Sequence, residues 1–169
     1  VAASFEPAKF VNLDMEEYRD LDLTVAAFQT VLDEPELEHL DAGIVLQAYL
    51  PDTRSVARSL GEWANRRRTR GGGSIKVRLV KGANLAMERV EAEMHGWHQA
   101  PYGSKHDVDA NYKAVLDVLL DPAFDDSVRI GLASHNLFDV AWGIGLRDEL
   151  RAADRPARIE IEMLEGMAP

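Results

Sequence analysis

The chain has 169 residues, of which 46% are hydrophobic, and it carries a formal net charge of −10. This size and composition favour a single globular domain over residues 1–169, and the negative charge argues against a nucleic-acid-binding surface. The sequence contains no cysteine, which excludes disulfides and thiolate metal sites and agrees with a cytoplasmic location.

Five short apolar segments are predicted to be β-strands, and a helical pattern follows each of them. The predicted strands cover residues 10–14, 44–49, 75–81, 128–135 and 159–164. Regular alternation of strands and helices predicts an α/β fold with a parallel sheet, either open or closed into a barrel.

Apolar residues at helical spacing predict which side of each helix faces the core. We interpret all of these stripes as buried, including the one after the third strand. The main stripes are Leu21, Val25, Phe28 and Leu32; Val56, Leu60 and Trp63; Met87, Val90, Met94 and Trp97; Val108, Tyr112, Val115 and Leu119; and Phe138, Ala141 and Ile144. The basic cluster from Arg66 to Arg70 precedes three glycines and is interpreted as a solvated helix end.

The third predicted strand contains a cation within apolar sequence. Side chains alternate between the two faces of a strand, so Arg78 shares a face with Lys76 and Val80 and points away from the more apolar face. An unpaired buried guanidinium is strongly unfavourable. Arg78 therefore has either a permanent anionic or hydrogen-bonding partner or a position facing a ligand pocket.

Polar side chains also collect at the carboxyl ends of the predicted strands, where parallel α/β folds bind their ligands. They include Asp14, Gln47, Arg78 and His135. The turn from Lys81 to Ala83 is small enough for backbone N–H groups to approach an anion, although the sequence contains neither a dinucleotide-binding fingerprint nor a P-loop.

Several motifs together resemble one family. They are Gln47-Ala48-Tyr49, Arg78 to Ala83, Tyr102 to Tyr112, Ser134-His135-Asn136 and Glu160 to Met167. In order and spacing they resemble proline dehydrogenase, most closely the proline dehydrogenase domain of the bifunctional proline utilization A enzymes. The resemblance implies an FAD-containing (β/α)8 barrel of the TIM type that oxidises L-proline to pyrroline-5-carboxylate, with this chain supplying about strands three to seven.

The resemblance also implies roles for individual residues. Arg78 is expected to contact the flavin near its reactive N5, and Gln47 to bond the edge of the isoalloxazine ring. Asp14 and Leu164 are expected to bound the proline pocket, so Arg78 and Asp14 are the candidate catalytic residues. The other residues expected to bind the cofactor are Val80, Lys81, Gly82, Ala83, Lys105, Ser134, His135 and Asn136.

The chain departs from the family pattern in two places. Many relatives have two aromatic residues after the Gly-Ala pair, where this chain has Asn84 and Leu85, and Gly103 stands where the family has a threonine. The implied partners are L-proline and a quinone or another electron acceptor. Self-association and peripheral membrane contact of the parent enzyme are compatible with the resemblance.

Two other functions remain as alternatives. One is a metal-dependent barrel lyase or aldolase that uses Asp14, His135, Glu160 and Glu162 as ligands. The other is a non-catalytic chain that self-associates through exposed strand edges. A complete eightfold barrel needs about 200 residues or more, so we expect this chain to be an internal fragment of a barrel that is inactive alone.

Overall fold

The computed structural model describes residues 9–166, which form five strands, five helices and three short 3-10 turns. Met167, the last residue of the motif that begins at Glu160, lies outside this range. The strands are β1 (Val11–Leu13), β2 (Ala42–Gln47), β3 (Ile75–Val80), β4 (Val128–Ala133) and β5 (Ile159–Glu162). The helices are α1 (Leu21–Leu32), α2 (Thr53–Thr69), α3 (Leu85–His95), α4 (Lys105–Leu119) and α5 (Leu137–Ala152).

The sheet is parallel throughout, as the alternation of strands and helices predicts, and its strands lie in the order β1-β2-β3-β4-β5. Each strand pairs with the one that precedes it in sequence. Strand β2 begins earlier than predicted, at Ala42, and ends at Gln47. The ladder continues beyond it, since the N–H groups of Ala48 and Tyr49 donate to the carbonyls of Val80 and Lys81, each at 2.8 Å.

The two faces of the sheet differ in chemistry. The apolar face packs against α1, α2 and α4 and supplies the core; its fully buried residues are Ile44, Leu46, Ile75, Val77, Leu79, Ile130 and Leu132. The opposite face, here called the polar face, carries Asn12, Gln47, Lys76, Arg78, Arg129, Glu160 and Glu162. Helices on one face and charged groups on the other are the arrangement expected of barrel units whose polar face lines the interior.

The prediction of a solvated basic helix end is wrong for Arg67. Its neighbours Arg66 and Arg68 are exposed, but Arg67 is only 1% exposed. The guanidinium points toward two chain connections and donates to five backbone carbonyls, those of Leu32, Leu37, Glu38, Leu40 and Gly73, at 2.7–3.3 Å. Because every part of the cation has an acceptor, its burial is compatible with stability.

The prediction that every apolar helix stripe is buried is wrong for α3. Met87, Val90, Met94 and Trp97 are 51–74% exposed, and Ala92 is the one buried residue of this helix. Glu88 of α3 accepts the backbone N–H of Tyr18 at 2.6 Å and the Tyr49 hydroxyl at 3.4 Å, and Leu85 packs against the core. The prediction is also wrong for the stripe on α5, where Phe138 is 86% exposed, Ile144 is 39% exposed and Ala141 is exposed as well.

Within residues 9–166, none of the helices combines the length and apolar character needed to cross a membrane.

Candidate functional site

Arg78 occupies the polar face near the carboxyl end of β3, and 37% of its side chain is exposed. Its Nε donates to the Glu162 carboxylate on β5. Its Nη1 lies 3.9 Å from Asp14 Oδ1, just after β1. Arg78 thus has an anionic partner and also presents part of its guanidinium to the open polar face, so it combines the two situations that the sequence left as alternatives.

Glu162 is held from a second side by Lys76. The Lys76 ammonium lies 2.5 Å from Glu162 Oε1 and 2.5 Å from Glu160 Oε2. Burial alone would raise the pKa of Glu162, but the adjacent cations of Lys76 and Arg78 outweigh it and lower that pKa. Lys76, Glu162, Arg78 and Asp14 thus form a row of alternating positive and negative charges across the polar face.

The sequence analysis did not identify Glu162 as the partner of Arg78. The signal was available in the alternation of the strands, because Glu162 and Arg78 are opposite charges on the same face. In the register, Gly131 of β4 lies between Arg78 and Glu160, and the Glu162 side chain reaches Arg78 by crossing above this glycine.

A second ionic cluster lies beyond the end of β3. The Lys81 ammonium is 2.6 Å from Asp109 Oδ1 and 2.7 Å from Asp139 Oδ2. Lys105 also reaches Asp109, at 2.6 Å, and the Ser134 hydroxyl donates to Asp139 at 2.9 Å. Burial alone would lower the pKa of Lys81, but hydrogen bonds to its two carboxylates raise it. We refer to these five residues as the Lys81 network, in which three of the predicted cofactor-binding residues come together.

The turn after β4 holds His135 and Asn136 in defined positions. His135 Nε2 accepts the backbone N–H of Leu164 at 3.0 Å, which joins the ends of β4 and β5. Asn136 Oδ1 accepts the N–H of Phe138 at 2.9 Å and caps the amino terminus of α5. Leu164 itself is 65% exposed on the same edge of the sheet.

Gln47 is 3% exposed and fixed beside the loop that follows β1. Its Nε2 donates to the carbonyls of Met15 and Glu16 at 2.6 and 3.2 Å. Its Oε1 is buried and has no hydrogen-bond donor among residues 9–166. A buried acceptor in this state is open to a donor such as a bound ligand or a water molecule.

The Lys-Gly-Ala turn is shaped by Tyr49. Gly82 has φ +129°, and a Cβ built at this position would lie 2.6 Å from the Tyr49 ring. Val80 is half-buried, whereas Gly82 and Ala83 are exposed. Asn84, the first of the two residues after the Gly-Ala pair, donates to the backbone and the carboxylate of Glu16, each at 2.9 Å, and anchors the start of α3.

Comparison with known proteins identifies the family. The sequence matches the family model described as "Proline dehydrogenase" over residues 2–169. The chain belongs to the proline dehydrogenase family. Among curated relatives, proline dehydrogenase from Deinococcus radiodurans is 34% identical over 116 residues, which are 69% of this chain and 30% of that protein. Bifunctional protein PutA from Klebsiella aerogenes is 31% identical over 159 residues, 93% of this chain and 11% of that protein.

Solved structures of proline utilization A share the fold. The protein from Corynebacterium freiburgense superposes with a TM-score of 0.91 at 50% identity, over 99% of this chain and 17% of that one. The protein from Bdellovibrio bacteriovorus superposes with a TM-score of 0.84 at 38% identity, over 96% of this chain and 16% of that one. The chain therefore spans less than a third of the relatives that it matches, and its parallel units correspond to the TIM-barrel-like proline dehydrogenase domain of PutA.

The residues considered as ligands of a metal-dependent lyase, namely Asp14, His135, Glu160 and Glu162, do not form a metal site among the described residues. Glu160 and Glu162 pair with Lys76 and Arg78, and His135 Nε2 is occupied by the Leu164 amide. Across residues 9–166 the structure brings together no group of three or more His, Asp or Glu side chains arranged to hold a metal ion.

Proline dehydrogenases are flavoenzymes, and the residues present fit a flavin. The Gln47 Oε1 acceptor lacks a donor among the described residues, and Arg78 supplies a partly exposed cation on the same face of the neighbouring strand. A flavin ring edge offers both N–H donors and carbonyl acceptors, which complement these two groups.

Proposed function

We propose that this chain forms part of the proline dehydrogenase unit of a larger enzyme, bifunctional like its PutA relatives, that oxidises L-proline to pyrroline-5-carboxylate in proline catabolism to glutamate. The observation that carries the proposal is the position of Arg78. It is a partly exposed guanidinium near the carboxyl end of a parallel strand, in a chain that matches the proline dehydrogenase family over residues 2–169.

FAD is the proposed cofactor, and when bound it accepts the hydride that leaves C5 of proline. Gln47 and Arg78 would hold the ring, while Val80, Gly82 and Ala83 line it with backbone. The Lys81 network and the turn from Ser134 to Asn136 would lie around its polar groups.

Arg78 stabilises the charge that this reaction produces. Hydride transfer moves negative charge toward the ring, and a guanidinium fixed beside it lowers the energy of the transition state. Arginine suits this task because it retains its proton throughout the physiological pH range. Its contact with Glu162 restricts where the charge lies, so less reorganisation is needed during the reaction.

Asp14 and Leu164 are the proposed boundary of the substrate pocket. Asp14 lies 3.9 Å from the Arg78 guanidinium, and Leu164 is held by His135 at the end of β5. Proline would therefore bind at the carboxyl edge of the sheet beside Arg78. Electrons would pass on to a quinone or another acceptor, in a cytoplasmic enzyme that contacts the membrane peripherally.

Replacing Arg78 in the complete enzyme tests the proposal. Arg78→Met keeps most of the side-chain volume and removes the charge, so flavin reduction by proline should slow by about 10²- to 10³-fold. Arg129→Met is the matched control, because Arg129 lies on the same face near the amino end of β4, where it approaches Glu160 at 3.9 Å.

Stopped-flow absorbance would measure the reduction rate of both variants after each is shown to bind FAD. The control should remain close to the unmodified enzyme. Equal rates for Arg78→Met and the unmodified enzyme would refute the proposed role of Arg78.

A further inference from the structure

Glu162 is placed to fix the orientation of the Arg78 guanidinium. It is the side chain that bonds Arg78 Nε, whereas Asp14 approaches the guanidinium only at 3.9 Å. The Glu162 side chain is 19% exposed and that of its second partner, Lys76, is 13% exposed, so both are largely shielded from water. A contact between partly desolvated charges with hydrogen-bond geometry is stronger than a solvated surface ion pair.

The neighbouring strand leaves room for this contact. Gly131 on β4 pairs with Arg78 in the sheet register. A Cβ at Gly131 would lie 2.9 Å from Glu162 Cδ and 3.1 Å from Lys76 Cε. The carboxylate and the lysine stem therefore cross the polar face directly above a residue without a side chain.

An arginine without such a contact would be poorly positioned. Its long side chain can adopt many rotamers, and 37% of the Arg78 side chain is open to solvent. Catalytic groups need a fixed orientation, and small displacements from it cost rate. Since Lys76 holds the opposite oxygen of Glu162, the carboxylate is itself fixed and does not swing with Arg78.

We propose that Glu162 is a positioning residue that holds the Arg78 guanidinium in its working orientation, with Lys76 as the support that fixes Glu162. The proposal rests on the proposed function, because it concerns the arginine expected to act on the flavin. It assigns to the β3–β5 ion pair a role in the reaction rather than in sheet stability alone.

The test uses four single variants of the complete, FAD-loaded enzyme, Glu162→Ala, Glu162→Gln, Glu160→Ala and Arg78→Met, and one double variant. Glu162→Ala should slow flavin reduction by about tenfold, and Glu162→Gln should recover most of that loss because its amide oxygen still accepts from Arg78 Nε. Glu160→Ala removes the same charge from the same face of β5, but Glu160 contacts Lys76 and Arg129 and should have little effect.

Adding Glu162→Ala to Arg78→Met separates positioning from a direct effect. If Glu162 acts through Arg78, the double variant should reduce no more slowly than Arg78→Met alone. The midpoint potential of the bound flavin provides a second readout. It should fall in Glu162→Ala toward the value of Arg78→Met, whereas direct removal of a nearby negative charge would raise it.

Two results would overturn the inference: additive losses in the double variant, or a flavin potential in Glu162→Ala that is unchanged or raised. If Glu162→Ala no longer retains FAD, the rate of flavin reduction in Glu162→Gln is the deciding measurement. In that case, a loss in Glu162→Gln as large as that in Arg78→Met would count against positioning by a hydrogen bond. Normal reduction by Arg78→Met would refute the proposed function itself, independently of Glu162.

Discussion

Individual buried arginines hold the amino-terminal edge of the sheet together. Arg158, which precedes β5, has a side chain only 2% exposed. It donates to the carbonyls of Leu119, Phe124 and Val128 at 2.8–3.2 Å and contacts Asp125 Oδ1 at 2.6 Å. Together with Arg67, it connects chain segments at the edge opposite the candidate site, where their contribution is to stability.

Asp125 provides a test of this arrangement. Asp125→Asn should lower the free energy of unfolding by about 1.5–3 kcal/mol at neutral pH, because it weakens charge-assisted hydrogen bonds to Arg155 and Arg158. The control is Asp126→Asn at the neighbouring position, which should change the free energy by less than about 0.5 kcal/mol.

The effect should depend on pH in one direction. Arg155 and then Arg158 lower the pKa of Asp125 in the folded protein. The stabilisation is therefore present above the unfolded pKa and is lost as pH falls through the lowered folded pKa. Denaturant unfolding of the complete protein at neutral and acidic pH would measure this, and a difference between the proteins that grows toward acidic pH would contradict it.

Residue chemistry also explains why Arg78 was predictable and Arg67 was not. The orientation of Arg78 follows from the alternation of one strand, which is a local property of the sequence. Arg67 is satisfied by main-chain carbonyls, and every residue type supplies those, so no pattern in the sequence distinguishes it from its exposed neighbours. The partners of Lys81, on α4 and α5, likewise depend on how separate helices are placed.

At the scale of elements, the turn after β3 depends on a glycine for two reasons. Gly82 has a positive φ, and the Tyr49 ring occupies the space that a side chain would need. Gly82→Ala should therefore destabilise the protein by about 2–3 kcal/mol or more through backbone strain and collision.

Gly96, at the end of α3, is the matched control. It also has a positive φ, +64°, but within residues 9–166 no heavy atom beyond its neighbours lies within 4 Å of the position that a Cβ would occupy. Gly96→Ala should cost only about 1 kcal/mol, from the left-handed backbone alone. Thermal unfolding of the two variants would compare them, and equal shifts in Tm would show that Tyr49 does not restrict the turn.

The elements themselves were largely predictable, but their surroundings were not. Strand and helix periods differ, so the approximate positions of the five strands along the chain and the presence of α3 follow from the sequence. An apolar stripe shows which side of a helix is hydrophobic and does not show what covers it. For this reason the exposure of Met94 on α3, and of Trp97 just after the helix, required the structure.

At the scale of the whole molecule, the sheet has two open edges among the described residues. Strand β1 pairs with β2, and β5 pairs with β4, which leaves one side of each without a described partner. Apolar side chains on β1 and before it, Val11 and Phe10, are 48% and 46% exposed. Such edges favour association with other chains.

We therefore expect the 169-residue chain alone to turn over no proline and to retain little FAD. A sheet of five strands does not enclose a flavin ring. Turnover also needs groups that bind the proline carboxylate, because that contact orients C5 of proline toward the flavin. The chain should be purified with excess FAD and desalted. Its absorbance near 450 nm and its activity with an artificial electron acceptor should then be measured, together with its size by gel filtration.

The complete enzyme is the positive control for that experiment. Stoichiometric bound flavin and rapid turnover by the isolated chain would show that these five strands are sufficient for the site. Multimers that persist at low protein concentration would agree with association through the open edges.

The strand order has a consequence for how the protein is made. Each strand pairs with the strand synthesised just before it, so the sheet grows at one edge while the chain leaves the ribosome. The partners of Arg67 all lie between Leu32 and Gly73, so this contact becomes available once β3 begins to emerge. The bond from Arg78 to Glu162 spans 84 residues and forms only after β5 has been translated. Nascent chains would therefore acquire the Arg67 contacts well before the Arg78–Glu162 contact of the candidate site.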